Sequence, residues 1–433
     1  MPTAIVVGSG AGGATVAKAL QGAFDVLILE AGREFRPFKM QLAIPEGLKR
    51  LGLLFSEREI ELLFATMRIL KTKQGMVLVR GIGTGGTTTL ATANALRMDR
   101  DLRAIGIDLD QEFAELHQEL PISIQHQDRW RESTRRLFLL CEEMGLEPRP
   151  TPKLGRFDLC RNCGHCVLGC LSGAKWDSRG FLQEAVQHGA RLVTRCRVLC
   201  VRRAAGRATG VEASVGGRRH FYPADVIVLA AGGLGTPVLL QNSGIPCEET
   251  LFVDPVLCVA AEWKGARQNS ELPMPFIVQQ DRYIVSPYFD LLSYYFNRNW
   301  RPLAANTISL MIKLADASVG TIAGGNIRKV LTKDDEERLR TAVELCRQLL
   351  GRLGIGQGDT FLGTLNAGHP GGMLGLTHKE ATSLHPERLP DNVYVADATL
   401  LPASLGNPPM LTIMALARRI ARAITVKWLN TVR

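Results

Sequence analysis

Residues 4–30 constrain this 433-residue chain more than any other stretch. A short apolar run, Ala4-Ile5-Val6-Val7, leads into Gly8-Ser9-Gly10-Ala11-Gly12-Gly13. A helical segment with Val16, Ala17 and Leu20 follows, and a second apolar run, Val26-Leu27-Ile28-Leu29, ends at Glu30. A glycine-rich turn alone says little, because such turns are common. Here strand, turn, helix, strand and acid stand in the order that binds a dinucleotide. Gly8 permits the tight turn, Gly10 lets the backbone approach a pyrophosphate, and Gly13 lets the helix pack close to the strand. The N–H groups at the helix start hold phosphates, and Glu30 is placed for the two hydroxyls of an adenosine ribose. An acid there argues against a 2′-phosphate, hence against NADP. The pattern leaves FAD and NAD both open.

The length exceeds one small core, so two domains are expected, interleaved or consecutive. Hydrophobic residues at 46% and charged residues at 22% describe an ordinary globular composition. The formal charge of +10 is spread out in pairs such as Arg418-Arg419 and Arg202-Arg203, with no basic run interleaved with aromatics. That pattern sets nucleic acid aside and suits an acidic redox partner or an anionic membrane face better. The strand reading of Ala4–Val7 leaves no room for a basic n-region and a cleavable apolar segment. No uninterrupted apolar stretch approaches the roughly 20 residues that cross a bilayer. The segment from Met410 to Leu429 is broken by Arg418, Arg419, Arg422 and Lys427, and is predicted to be an amphipathic helix lying on a core. Ten cysteines without a secretory signal point to a reducing compartment. A cytoplasmic location is expected, with a peripheral membrane position left open.

Four motifs further along stand in register. Gly83-Thr84-Gly85-Gly86-Thr87-Thr88 is a glycine-rich loop, and Val226-Ile227-Val228-Leu229-Ala230-Ala231-Gly232 is followed by Thr236-Pro237-Val238-Leu239-Leu240 and Ser243-Gly244-Ile245. Then come His369-Pro370-Gly371-Gly372 and, after the run from Asp391 to Ala398, Gly406-Asn407-Pro408-Pro409-Met410-Leu411-Thr412. Together they resemble the glucose–methanol–choline (GMC) oxidoreductases along nearly the whole chain. The resemblance implies FAD, not NAD, and an α/β fold: an FAD-binding Rossmann-like domain of the glutathione-reductase type, interleaved with a smaller α+β substrate domain. The expected division is FAD-binding residues 1–255 and 375–433, with the substrate domain at 256–374. Within the first part, 1 to about 110 and about 150 to 255 would build the FAD fold.

The resemblance also implies roles. Gly85, Gly86 and Thr87 would belong to the loop that covers the flavin, Val198 would lie beside the adenine, and Asp397 would contact the ribityl–phosphate portion. Asp397 read by itself is equally a cap for the turn that follows. The family's asparagine after the covering loop is displaced here: Ala91 stands in its place and Asn94 is nearest. Oxidising an alcohol requires the hydroxyl proton to leave while a hydride reaches flavin N5. An imidazole suits the first task near neutrality, and His369 is the candidate catalytic base. The family pairs it with a second His or Asn that orients the alcohol oxygen. Asn407 is the candidate, although the usual spacing of four residues before Thr412 falls on Pro408.

Cys160, Cys163, Cys166 and Cys170 form C-x2-C-x2-C-x3-C, the spacing of an iron–sulfur ligand loop. Leu171 rather than proline follows, and there is no second run, so one cluster (4Fe-4S or 3Fe-4S) would take Cys170 itself, a remote cysteine, His165, or only three protein ligands. Structural zinc and reduced structural thiols remain alternatives. Members of the family carry a comparable Cys-rich stretch before an element like Gly173-Ala174-Lys175, which keeps a packing role open, while others place an iron–sulfur centre in this region. A cluster would make the enzyme an alcohol dehydrogenase that hands electrons singly to an acceptor protein or quinone.

Tyr283, Tyr288, Tyr294 and Tyr295, near Phe289, Phe296 and Trp300, would line a pocket for an apolar or ring-shaped alcohol, or form core. Asp334-Asp335-Glu336-Glu337 opens a predicted helix, as a solvated first turn complementing its dipole. The competing functions are an oxygen-using oxidase of the same fold without a cluster, and a non-catalytic flavin subunit of a redox complex.

Overall fold

The structure, a computed structural model, describes residues 1–39, 43–51, 61, 64 and 66–432. The first strand, Thr3–Val7, is the centre of a five-stranded parallel sheet. Its order is Val393–Val395, Val226–Leu229, Thr3–Val7, Asp25–Leu29, Arg191–Val193. Ala4 pairs with Val226 on one side and Val26 on the other, and Val7 with Leu229 and Leu29. A strand bonded on both edges and covered on both faces has no place for a polar side chain. Ala4, Ile5, Val6 and Val7 accordingly run unbroken and buried. Helix Ala11–Ala19 crosses back over the sheet, and the long C-terminal helix Met410–Val432 packs on it. That helix buries Leu411, Met414, Ala417, Ile420 and Ile424. Its arginines are engaged rather than free: Arg422 meets Glu112 at 2.6 Å and Arg418 meets Glu115 at 3.4 Å, both acids on helix Asp110–Glu119. No helix among the described residues is long and apolar enough to cross a membrane.

A three-stranded antiparallel sheet, Cys196–Ala204, Arg207–Val215 and Arg218–Pro223, flanks the parallel one. A larger mixed sheet of nine strands centres on Pro255–Glu262 and Thr307–Leu314, paired antiparallel with Val259 opposite Leu310. Its membership departs from the expected boundary at 256. One end is made by Met67–Lys71 and Val77–Gly81, the other by Arg149–Pro150. These earlier segments satisfy the N–H and C=O groups that the later strands leave unpaired at their edges.

Alternation along the central strands decides what each face does. Leu257, Val259, Ala261, Ile308, Leu310 and Ile312 point to one side, against helices Glu132–Glu143 and Lys333–Arg352. Cys258, Ala260 and Met311 point to the other, with Phe289, Tyr294 and Trp300. Lys313, two residues past Met311, shares that second face.

Helix Lys333–Arg352 begins where the acidic run predicted, with a correction. Asp335 is not solvated but fully buried: it closes a capping box with Thr332 (3.0 and 3.2 Å) and accepts from Ala317 N–H at 3.3 Å. A buried acceptor serving two backbone donors outweighs a dipole effect on the surface. Asp335→Ala should therefore destabilise the protein by about 2 kcal/mol, read as a lower midpoint in urea unfolding. Asp334→Ala, one residue earlier and exposed, should change it by less than about 0.5 kcal/mol.

Candidate active site

The site is built at the carboxyl end of the parallel sheet, around a cavity of about 670 Å³ lined mainly by apolar side chains. The first strand ends at Gly8, whose φ of 100° lies in the left-handed region that favours glycine. A Cβ there would stand 2.3 Å from the Ala230 carbonyl oxygen, and one at Gly13 would stand 2.0 Å from the Gly8 oxygen. Both glycines are required by backbone packing. Gly10 differs: a Cβ there would meet only the Gly86 Cα at 3.9 Å, so its bareness keeps space open. Gly8 and Gly10 line the cavity, whereas Gly13 lies behind the turn. Glu30, at the end of the second strand, is buried and lines the cavity too. It accepts from Ser9 Oγ (2.7 Å), Ser9 N (3.1 Å) and Gly32 N (2.8 Å). Burial raises its carboxyl above the usual range, with those hydrogen bonds opposing.

The glycine-rich loop Gly83–Thr88 lies directly over this turn. Gly85 N–H donates to Ser9 Oγ at 3.2 Å, and Ser178 Oγ donates to Gly85 O at 3.0 Å. Gly86 and Thr87 line the cavity; Thr87 Oγ1 accepts from Gly81 N at 3.1 Å. Val198 also lines it, on strand Cys196–Ala204. Asp397 does so while accepting from Gly232 N (2.9 Å), Thr236 Oγ1 (2.5 Å) and Thr399 N (2.9 Å). It is thus both cavity wall and cap of the short turn Ala398–Leu400. Burial raises its carboxyl as well, those bonds again opposing.

His369 lines the cavity from the loop after Asn366–Ala367, with 25% of its side chain exposed. Its Nδ1 is buried without a hydrogen-bond partner and lies 3.9 Å from Asp254 Oδ2. Burial, then the nearby Lys313 ammonium, holds the imidazole well below its ordinary pKa. The expected partner is a correction. Asn407 is buried away from the cavity, its Nδ2 donating to Gln279 Oε1 at 3.0 Å, while Pro408 and Pro409 form the wall. The one-residue offset in spacing shows in three dimensions: Pro408 stands in the cavity wall, and Asn407 lies behind it with Oδ1 buried and without a hydrogen-bond partner.

Lys313 and Asp254 were not singled out by sequence. Lys313 lines the cavity, nearly fully buried, with Nζ 2.8 Å from Asp254 Oδ2. The available signal was one lysine in the otherwise apolar or small-residue strand Thr307–Leu314. The aromatic group divides: Tyr288, Tyr295 and Phe296 line the cavity, whereas Phe289, Tyr294 and Trp300 are core and Tyr283 packs under the helices.

All four cysteines of the C-x2-C-x2-C-x3-C run, with His165, line one small separate pocket. Among the described residues no group of three or more His, Cys, Asp or Glu side chains could hold a metal ion as placed. Backbone N–H groups point at two of the sulfurs, Asn162 N at Cys160 Sγ and Lys175 N at Cys170 Sγ, both 3.4 Å. Burial acts against the Cys170 thiolate, yet hydrogen bonds from Ser172, Lys175 and Ala174 together bring its pKa below the ordinary thiol value. Two buried lysines stand at the pocket. Lys153 donates to Thr92 O (3.1 Å), Pro273 O (2.7 Å) and Asn94 Oδ1; Lys175 to Thr89 O (2.6 Å), Ala91 O (3.0 Å) and Cys166 O (2.9 Å). Burial pushes the Lys153 ammonium down to about 7. Thr92 belongs to the walls of both cavities, and the short turn Cys166–Leu168 lies between them.

The family profile described as GMC oxidoreductase matches residues 3–258, more than half of the chain. The chain is a member of the GMC oxidoreductases. A second profile, FAD dependent oxidoreductase, matches residues 178–422. An uncharacterized GMC-type oxidoreductase of Mycobacterium tuberculosis is 26% identical, over 98% of this chain and 76% of its own. A long-chain-alcohol oxidase of Arabidopsis thaliana is 24% identical, over 66% of this chain and 48% of its own. Pyridoxine 4-oxidase from Mesorbium loti has the same fold, with a TM-score of 0.71 over 98% of this chain and 99% of its own at 18% identity.

This GMC oxidoreductase is therefore an FAD-dependent oxidoreductase, and its cavity fits FAD: a bare Gly10, an acid at the end of the second strand, and one continuous space shared by Gly10, Glu30, Val198, Asp397 and His369. Substitutions at two glycines should separate cradle from scaffold. Gly10→Val should leave thermal unfolding of the apoprotein nearly unchanged and cut FAD retention at least about tenfold, roughly 1.4 kcal/mol of binding. Gly13→Ala, forced against the Gly8 oxygen, should lower the unfolding temperature itself. Flavin absorbance per protein and a melting curve read the two effects.

Proposed function

We propose that this enzyme oxidises an apolar alcohol at its CH–OH group, with His369 accepting the hydroxyl proton, and that its electrons leave through an iron–sulfur cluster held by Cys160, Cys163, Cys166 and Cys170. The observation that carries the first part is an imidazole with a low pKa on the wall of the cavity that the dinucleotide turn also lines. Bound FAD supplies the acceptor for the hydride. The protein supplies the rest. A neutral His369 takes the proton, the apolar walls exclude water from the reacting carbon, and Tyr288, Tyr295 and Phe296 offer surface to the substrate's apolar part. The likeness to long-chain-alcohol oxidases and to a pyridoxine oxidase agrees with an alcohol substrate. The apolar lining favours the former kind. Asn407 has no part in this proposal.

The cluster rests on different observations. The four thiols line one pocket and stand in the spacing of an iron–sulfur ligand loop. Peptide N–H groups aimed at sulfur favour thiolate ligands. Among the described residues, the hydrogen-bond partners of Lys153 and Lys175 are all neutral oxygens. Two buried ammoniums are costly without anions; Asp177 offsets part of this at Lys175, and a thiolate-bound cluster would add negative charge beside both lysines. The shared wall at Thr92 puts the pocket beside the FAD cavity, as a one-electron relay requires. Exposed Arg129, Arg156 and Arg161 around the loop suit an acidic acceptor protein; a quinone is the other class of acceptor.

Four outcomes check these assignments. His369→Ala should abolish bleaching of the flavin by alcohol without oxygen, with FAD content retained; unchanged bleaching removes His369 as proton acceptor. In the native enzyme the base is active when neutral, and its pKa is lowered. The bleaching rate should therefore stay flat from pH 8 down to about 6, a range over which an unperturbed histidine would already lose most of its neutral form, and decline only at lower pH. Along a series of straight-chain alcohols, kcat/KM should rise about fourfold per methylene, near 0.8 kcal/mol each, until the cavity is filled. Protein purified without oxygen should carry roughly three to four irons with matching sulfide per FAD. Intact flavoprotein without iron or sulfide would leave the cysteines structural and make direct oxygen use the function to test.

A further inference from the structure

The proton acceptor proposed above shares its cavity with Pro408, while Asn407 Nδ2 bonds to Gln279. The polar neighbours of His369 come from the large sheet. Asp254, just before strand Pro255–Glu262, is buried; its Oδ1 accepts from Gly406 N (3.2 Å) and from Ser404 Oγ. Its Oδ2 is ion-paired with Lys313 Nζ at 2.8 Å and has no hydrogen-bond partner beyond that contact. His369 Nδ1, equally buried and equally lacking a partner, is 3.9 Å from the same oxygen. An approach of about 1 Å would turn that gap into a hydrogen bond. Asp316 stands behind, sharing Ser404 Oγ (3.0 Å) with Asp254 and paired with Lys329 at 2.7 Å. Asp254 and Lys313 thus face the imidazole, and Asp316 with Lys329 forms a second, charge-balanced pair behind them.

We infer that Asp254 and Lys313 are positioning residues for His369: Asp254 Oδ2 accepts from Nδ1–H and so leaves Nε2, unprotonated, as the nitrogen presented to the alcohol, while Lys313 keeps that carboxylate ionised in a buried place. An imidazole has one donor and one acceptor nitrogen when neutral, and the group bonded to one decides which proton position the other has. A base needs a lone pair on the cavity side. Without Asp254 the ring is free to take the other tautomer or turn over. Without Lys313, burial drives Asp254 toward its neutral form, which no longer demands a proton from Nδ1. The inference rests on His369 being the proton acceptor, and concerns what holds it ready.

The test uses the FAD-loaded enzyme with 15N-histidine, the His369 signal being assigned by its loss in His369→Gln. In the native protein the His369 ring should show a protonated Nδ1 and an unprotonated Nε2 at pH 7. In Asp254→Asn/Lys313→Met, which removes both buried charges together, that preference should be lost. Anaerobic bleaching by alcohol should fall on the order of 10²- to 10⁴-fold, as when the carboxylate behind a catalytic histidine is neutralised, with FAD content unchanged. Lys313→Arg should keep the native tautomer and most of the rate. An Nε2–H ring in the native enzyme overturns the inference at once, whether or not the double variant folds. So does a double variant with the native tautomer and bleaching within a few-fold of native. If His369→Gln still bleaches like native enzyme, the proton-acceptor assignment itself fails; if it is inactive while the tautomer ignores Asp254, only the positioning role fails.

Discussion

Backbone meets backbone around the Gly8–Gly13 turn with no room for side chains, and most of what the molecule does depends on that contact. A Cβ on Gly12 would stand 1.6 Å from the Ala396 oxygen, and one on Gly233 would stand 1.9 Å from the Pro370 oxygen. The first contact draws in the segment that carries Asp397; the second draws in the loop that carries His369. Residues hundreds of positions apart share one cavity because glycine lets their chains touch. The parallel sheet makes this possible by ending strands Thr3–Val7, Val226–Leu229 and Val393–Val395 side by side.

Charge inside the protein follows a second logic. Asp254 with Lys313 and Asp316 with Lys329 are ion pairs almost wholly removed from water. Such pairs contribute little net stability against apolar substitutes, because desolvation offsets attraction. Their placement beside a titratable imidazole makes them intelligible as groups that define its orientation. Lys153 and Lys175 carry charge into the interior without a carboxylate in their hydrogen bonding, at the wall of the cysteine pocket. The two sets differ in what they need. One is neutral as built, and the other calls for more negative charge.

Several parts of this site could be recognised before any fold was known. The glycine turn, the acid ending the second strand, the glycine-rich loop, Asp397 and His369 belong to short contiguous motifs, and Gly8, Gly10, Glu30, Gly86, Thr87, Asp397 and His369 line the cavity, whereas Gly13 and Gly85 do not. Contiguous motifs are readable because turn geometry and strand ends are local. Asn407 shows the limit. Its motif was intact apart from one residue of spacing, yet that residue decides which side chain faces the cavity and which bonds to Gln279. Asp335 shows another: four acids in a row read as a solvated turn, and only the approach of Ala317 N–H makes one of them a buried cap.

The sequence by itself determined the apolar strand and glycine turn at its start, the buried C-terminal helix, the histidine loop and the four-cysteine spacing, since each depends on residues within about one or two turns of chain. Tertiary structure decided which polar groups meet. Asp254 and Lys313 are 59 residues apart, and antiparallel pairing of Pro255–Glu262 with Thr307–Leu314 sets Val256 opposite Lys313. Lys153 reaches Thr92 and Asn94 across a loop no local pattern connects to it. A charged side chain's meaning lies in the partner it finds when water is removed, and that partner is supplied by the folding of the whole chain.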